Sequence, residues 1–178
     1  ALGGDAIQLI SYGAEGVGLF RTEIYFLSLD RYPNIDEQTK VYRDLLDSIA
    51  DDKSVVFRTL DVGADKAAPY MGFQNEDNPF LGYRAVRRQL KEKKVLKDQL
   101  CALLHATGTR SNVRVIFPMI TNVNEIKNAR ALFDECRKEL EESGESLANI
   151  EVGMMFEVPS AFLICDKFMP EIDFCSIG

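Results

Sequence analysis

Two arginines stand directly after short apolar runs: Arg21 after Val17-Gly18-Leu19-Phe20, and Arg58 after Val55-Val56-Phe57. A further run, Val152-Gly153-Met154-Met155-Phe156, ends in Glu157. Forked guanidinium donors suit phosphate or carboxylate, and a lone carboxylate among them suits a divalent cation. Apolar runs of this length read as buried parallel strands, and such sheets bind ligands at the carboxyl ends of their strands. Arg21, Arg58 and Glu157 therefore belong on one rim. The chemistry they predict is capture of a small anion together with a metal ion.

Other residues join or leave this set on their own merits. Lys66, in the loop after the second run, offers a point charge to a phosphoryl group. Asp61 and Asp65 beside it could bind metal, although loop acids more often cap turns. Arg84 follows Asn78-Pro79-Phe80-Leu81-Gly82-Tyr83 and opens a helix, where a third guanidinium completes a phosphate clamp. Arg87 and Arg88 read as solvated neighbours. His105, the single histidine, sits on a helical pattern beside Leu103 and Leu104 and is given no catalytic role. Cys101, Cys136, Cys165 and Cys175 show no zinc-type spacing and read as buried free thiols, which fits a reducing compartment. The glycines Gly13, Gly16 and Gly18 precede a strand, whereas the dinucleotide fingerprint follows one, so they are assigned to a turn.

The elements that must position these groups follow from periodicity. A helix over 5–12 closes at Gly13. Strands are expected at 17–20, 54–59, 113–117, 152–156 and 173–177. Helices are expected at 37–50, 81–91 and 93–106. Another runs from an Asn122 cap to near Gly144, and one more has Pro159 in its first turn. The polar stretch 61–79 is too long for a routine connection and is read as a functional loop. Strand and helix alternate without hairpin signals, which means α/β with a parallel sheet. A doubly wound sheet and a barrel both satisfy the pattern. Functional residues after several successive strands favour the barrel, so the expected fold is an incomplete TIM (β/α)8 barrel with about five parallel strands. It is read as one partial domain over 1–178, cut at both ends.

Bulk properties set the boundaries. The chain of 178 residues has a formal net charge of −7, which argues against a nucleic-acid partner and makes any anion site local. No apolar run approaches the roughly 20 residues of a membrane span, and the first twenty residues lack a basic leader. A cytoplasmic protein without membrane insertion is the expectation.

Several long motifs then carry a resemblance that covers essentially the whole chain. Gly13-Ala14-Glu15-Gly16-Val17-Gly18-Leu19-Phe20-Arg21-Thr22-Glu23 resembles a signature of the phosphoenolpyruvate-utilising enzymes. Arg58-Thr59-Leu60-Asp61-Val62-Gly63-Ala64-Asp65-Lys66, Glu76-Asp77-Asn78-Pro79-Phe80-Leu81-Gly82-Tyr83-Arg84 and Phe117-Pro118-Met119 are similar to that family too, as is the run through Glu157. Ala64, where a second glycine is usual, and Val158, where threonine is common, depart mildly. The resemblance implies that Arg21 and Arg58 bind phosphoenolpyruvate, that Lys66 and Arg84 also touch the anion, and that Glu157 ligates magnesium. Within the family it points to the phosphoenolpyruvate-protein phosphotransferase branch of the bacterial sugar phosphotransferase system. That branch implies transfer to a protein histidine, a histidine-containing phosphocarrier protein as partner, and a homodimer in the full-length protein. Fragments of phosphoenolpyruvate synthase or pyruvate phosphate dikinase, and a dimerisation module without catalysis, stay open. The family's phosphate-accepting histidine, second magnesium carboxylate and proton-donating cysteine do not occur in these residues, so the fragment alone is expected to be inactive.

Overall fold

The computed structural model describes residues 11–66 and 69–178. The expected helix over 5–12 lies almost wholly outside the described residues. The sheet contains β1 (Gly16–Arg21), β2 (Ser54–Arg58), β3 (Val113–Phe117), β4 (Glu151–Phe156) and β5 (Phe174–Ile177), all parallel and ordered as in the chain. Sequential order with neighbouring parallel pairs curls the sheet around one axis, giving an incomplete TIM barrel. The alternative of a doubly wound sheet would reverse the order at a switch point, and no reversal occurs among the described strands.

Strand parity divides the side chains between two faces. Val55, Phe57, Val113, Val115, Phe117, Val152, Met154 and Phe156 face the helices and build the main core. Their neighbours Val56, Ile116 and Met155, with Leu19 and Phe174, pack on the inner face. Two-residue periodicity then assigns Arg58 and Glu157, the next inward positions, to that inner face at the carboxyl-end rim. In β1 the register shifts between Val17 and Phe20, and Phe20 still joins the helix-side core while Arg21 ends the strand.

The outer layer is formed chiefly by α2 (Ile35–Asp47), α4 (Lys93–Thr107) and α5 (Val123–Glu142). Asn34 and Glu37 make a capping box that starts α2 two residues before its expected first turn, and Asn122 and Glu125 make the same box at α5. The Phe20, Tyr42 and Phe57 rings meet edge to face at 5.3–6.5 Å and fill the space between α2 and the first two strands. A short helix α1 (Glu23–Leu27), which periodicity does not announce, follows β1 at once. The expected helix over 81–91 is shorter, α3 (Ala85–Gln89), because residues before it are drawn into the loop. After β4 come α6 (Pro159–Leu163), with Pro159 in its first turn, and α7 (Cys165–Phe168).

The stretch after β2 is less polar in effect than its composition implies. Leu60, Val62 and Met71 join Phe26 of α1 in a second small core, flanked by Tyr25, Tyr32, Tyr70 and Phe73. Tyr70 donates its hydroxyl hydrogen to the Phe26 carbonyl at 2.8 Å. The long loop is therefore clamped onto α1, and the two rim segments after β1 and β2 form one unit.

Candidate functional site

At the carboxyl-end rim, cations alternate with carboxylates. Arg21 is the last residue of β1 and donates Nε to Glu23 Oε1 at 2.8 Å. Arg58 ends β2, is almost fully buried, donates Nη2 to the same Glu23 oxygen in a short contact, and lies 3.5 Å from Asp61 Oδ2. Lys66 Nζ stands 3.8 Å from Glu23 and 3.9 Å from Asp61, and donates to the Asp61 carbonyl. Arg84, the residue before α3, sets Nε and Nη2 on Asp61 Oδ1 at 3.0 and 2.8 Å. Its Nη1 reaches Asp65 Oδ1 at 3.1 Å and the Pro79 carbonyl at 3.2 Å. The four cations named from sequence are thus brought to one cluster.

Glu157 lies on the same rim but apart from these pairs. β3 separates its strand from that of Arg58, and its Oε1 accepts from the Met119 backbone N–H at 2.7 Å. Among the described residues it forms no ion pair. Burial raises its pKa above the ordinary carboxylate value; Asp61 adds to this, while the Met119 N–H, Arg58 and Arg84 act against it. Burial likewise lowers the Lys66 ammonium, with Asp61 and Glu23 opposing the shift and Arg84 and Arg58 assisting it.

Glu23 was not singled out from sequence, yet it is the hub. It is 1% exposed and holds Arg21, Arg58 and Lys66 on one oxygen. The signal available was its place two residues beyond a strand end, in an otherwise apolar helix. Asp61 and Asp65, weighed as turn caps, act instead as counter-ions to Arg84. Arg87 and Arg88 are not solvated. Arg87 is partly buried and donates to the carbonyls of Leu81 and Gly82, while Arg88 lies 4.2 Å over the Phe73 ring and pairs with Glu92. Of the cysteines, Cys101 and Cys136 are buried as expected, but Cys165, at the start of α7, and Cys175, on the edge strand β5, are exposed. His105 pairs with Glu145 at 2.9 Å on α4, away from the rim.

Three further features set this rim apart from the rest of the fold. Among the described residues Arg58 Nε, Thr59 Oγ1 and Glu23 Oε2 are buried without a hydrogen-bond partner, where native interiors leave few such atoms. Met119 (φ 59) and Ala85 (φ 44) take left-handed backbone conformations without being glycine, and they pack together with Val158 beside Glu157. A Cβ on Gly63 would meet Asp65 Oδ1 at 2.9 Å and Arg84 Cβ at 3.0 Å, so only glycine lets that pair close over the loop.

The fit of a divalent cation can be judged from the donors. No group of three His, Cys, Asp or Glu side chains among the described residues is arranged to hold a metal. Glu157 has one oxygen outside any described hydrogen bond and a desolvated carboxylate that a cation would relieve. That fits magnesium, which takes one or two carboxylates and completes its shell with water and substrate oxygens.

A parallel barrel segment with buried arginines and a lysine over the carboxyl ends of its first strands defines an α/β domain with a charged rim. The model of the family described as "PEP-utilising enzyme, PEP-binding domain" matches residues 3–178, and the chain belongs to that family. The chain is 46% identical over 175 residues to the phosphoenolpyruvate-protein phosphotransferase of Bacillus subtilis (strain 168), covering 98% of this chain and 30% of that protein. Identity is 43% to the protein of that name from Mycoplasma capricolum and 42% to that from Staphylococcus carnosus, with the same coverage. The chain therefore spans about 30% of the length of these relatives.

Proposed function

We propose that this segment binds phosphoenolpyruvate with magnesium in a phosphoenolpyruvate-protein phosphotransferase. The full-length protein would pass the phosphoryl group to a protein histidine, and from there to a histidine-containing phosphocarrier. The observation that carries the reading is the convergence of Arg58, Lys66 and Arg84 on one rim around Glu23 and Asp61. A buried ionic cluster is a poor stabiliser compared with apolar packing, so its retention asks for a ligand. The names of the relatives supply the ligand's identity.

In this reading Arg21 and Arg58 hold the anion, and the Arg58 Nε proton, which has no partner among the described residues, is one donor ready for it. Lys66 adds a point charge, its Nζ placed at the rim 3.8 Å from Glu23 and 3.9 Å from Asp61. Arg84 fixes Asp61 and Asp65 and with them the loop that carries Lys66. Glu157 would hold the magnesium ion, which neutralises charge on the phosphoryl oxygens when bound. The experiment is phosphoryl transfer by the full-length protein carrying Arg58→Ala or His105→Ala. Loss of a forked donor to developing phosphoryl charge costs about 2.7–4 kcal/mol, a factor of about 10²–10³ in rate. His105→Ala should stay near wild type. Near-normal transfer by Arg58→Ala would overturn the assignment.

A further inference from the structure

Behind the charged rim lies a second, wholly buried polar system that the chemistry above does not use. At its centre is Gln99 on α4, with no exposed surface. Its Oε1 accepts from the Leu60 backbone N–H at 2.8 Å, and its Nε2 donates to Thr22 Oγ1 at 3.1 Å and to the Tyr42 hydroxyl at 3.2 Å. Thr22 in turn donates its hydroxyl hydrogen to the Arg58 carbonyl at 2.7 Å. Gln89 of α3 pins the other side of the same loop residue, donating Nε2 to the Leu60 carbonyl at 2.8 Å.

The direction of every bond is fixed by chemistry. A backbone N–H can only donate, so the Gln99 oxygen must face Leu60 and its amino group must face Thr22 and Tyr42. The Pro33 carbonyl can only accept, so Gln38 turns Nε2 to it at 3.0 Å and offers Oε1 to the Tyr42 hydroxyl at 3.2 Å. Tyr42 must therefore donate to Gln38 and accept from Gln99. Burying an amide this deeply is unfavourable unless every group is satisfied, and here each hydrogen of the Gln99 amide has an acceptor.

What the amide joins matters most. Thr22 lies between Arg21 and Glu23, and Leu60 lies between Arg58 and Asp61, with only Thr59 intervening on the arginine side. One side chain thus ties the segment after β1 to the segment after β2, at the residues flanking the ion pairs. We infer that Gln99 is a positioning residue, setting the distance between the Arg21–Glu23 and Arg58–Asp61 segments and so the shape of the anion site. The inference rests on the reading of the rim as the phosphoenolpyruvate site.

The test is calorimetric binding of phosphoenolpyruvate with magnesium to the full-length protein with its phosphate-accepting histidine replaced by alanine, so that binding is read without transfer, well below the unfolding temperature. Gln99→Met keeps the length and removes the hydrogen bonds; its Kd should rise about tenfold. Gln99→Glu supplies a variant with its own signature. When protonated it can accept from Leu60 and donate to Thr22, and when ionised it cannot donate, so its Kd relative to wild type should climb with pH. Tyr42→Phe removes a hydroxyl from the same network without touching Thr22 or Leu60, and should lower the unfolding temperature while leaving Kd unchanged. A merely structural Gln99 would lower stability in all three and leave every Kd within twofold of wild type, and that outcome overturns the inference. Should Gln99→Met not fold, the pH dependence of Gln99→Glu decides alone. Arg58→Ala is the reference: if it binds normally the rim is not the site, and the inference falls with the reading it rests on. If it loses binding while both Gln99 variants bind normally, only the inference is lost.

Discussion

Replacing Glu23 by glutamine isolates the charge at the hub of the rim. Among the described residues Glu23 Oε2 has no hydrogen-bond partner, so an amide NH2 in its place disturbs none there, while the remaining oxygen still accepts from Arg21 and Arg58. What is lost is the negative charge facing a buried Arg58 and a Lys66 Nζ at 3.8 Å. At an effective dielectric of about 20, a pair near 4 Å is worth roughly 4 kcal/mol before desolvation, and removing one partner of a buried pair costs about 3–5 kcal/mol. With the hydrogen bonds kept, the lower end applies, about 3 kcal/mol. For a domain of this size that is a fall of about 6–12 °C in the unfolding midpoint. The substitution also leaves Arg21, Arg58, Lys66 and Arg84 facing only Asp61 and Asp65, two positive charges in excess. Phosphoenolpyruvate should then stabilise the variant more than the wild type, since binding to the folded state adds to stability by mass action. Denaturant titration with and without the ligand measures both effects. A loss below about 1 kcal/mol, the level of an exposed pair, together with an unchanged ligand effect, would refute the role of Glu23 as the counter-ion.

Other outcomes follow from the same geometry. Glu157 has a pKa raised above the ordinary 4.5, so its contribution to stability is complete below that value and is lost as pH rises through the raised one. Glu157→Gln should therefore match wild type in acid, exceed it in stability at neutral pH in metal-free buffer, and bind magnesium with phosphoenolpyruvate less tightly; thermal unfolding against pH and metal titration check the two halves. Gly63→Ala should press on Asp65 and Arg84 and weaken ligand binding, with a stability loss of about 1–3 kcal/mol read by denaturation. Asn122→Ala removes the cap of α5 and should lower stability by about 1 kcal/mol, read by denaturation.

The sequence alone determined the strands and the level at which the chemistry sits. Val55-Val56-Phe57-Arg58 and Met154-Met155-Phe156-Glu157 already state that Arg58 and Glu157 lie at strand ends. The parity of the strand then puts them on the face of Val56 and Met155. Period two is a local property, so it is written in neighbouring residues. The caps at Asn34 and Asn122 are local in the same sense, although only the second was read in advance. The tertiary structure alone decided how the charges pair. Arg84 meets Asp61 across 23 residues, and Glu23 meets Arg58 across 35. Gln99 reaches Thr22 across 77. Such distances depend on how the loop after β2 folds onto α1, and that is set by Phe26, Leu60, Val62 and Met71 coming together from separate segments. No periodicity records that meeting, and so Arg87 and Arg88 looked solvated and Glu23 looked ordinary. A charge is assigned its role by the opposite charge that burial brings within a few ångströms, and burial is a property of the whole fold.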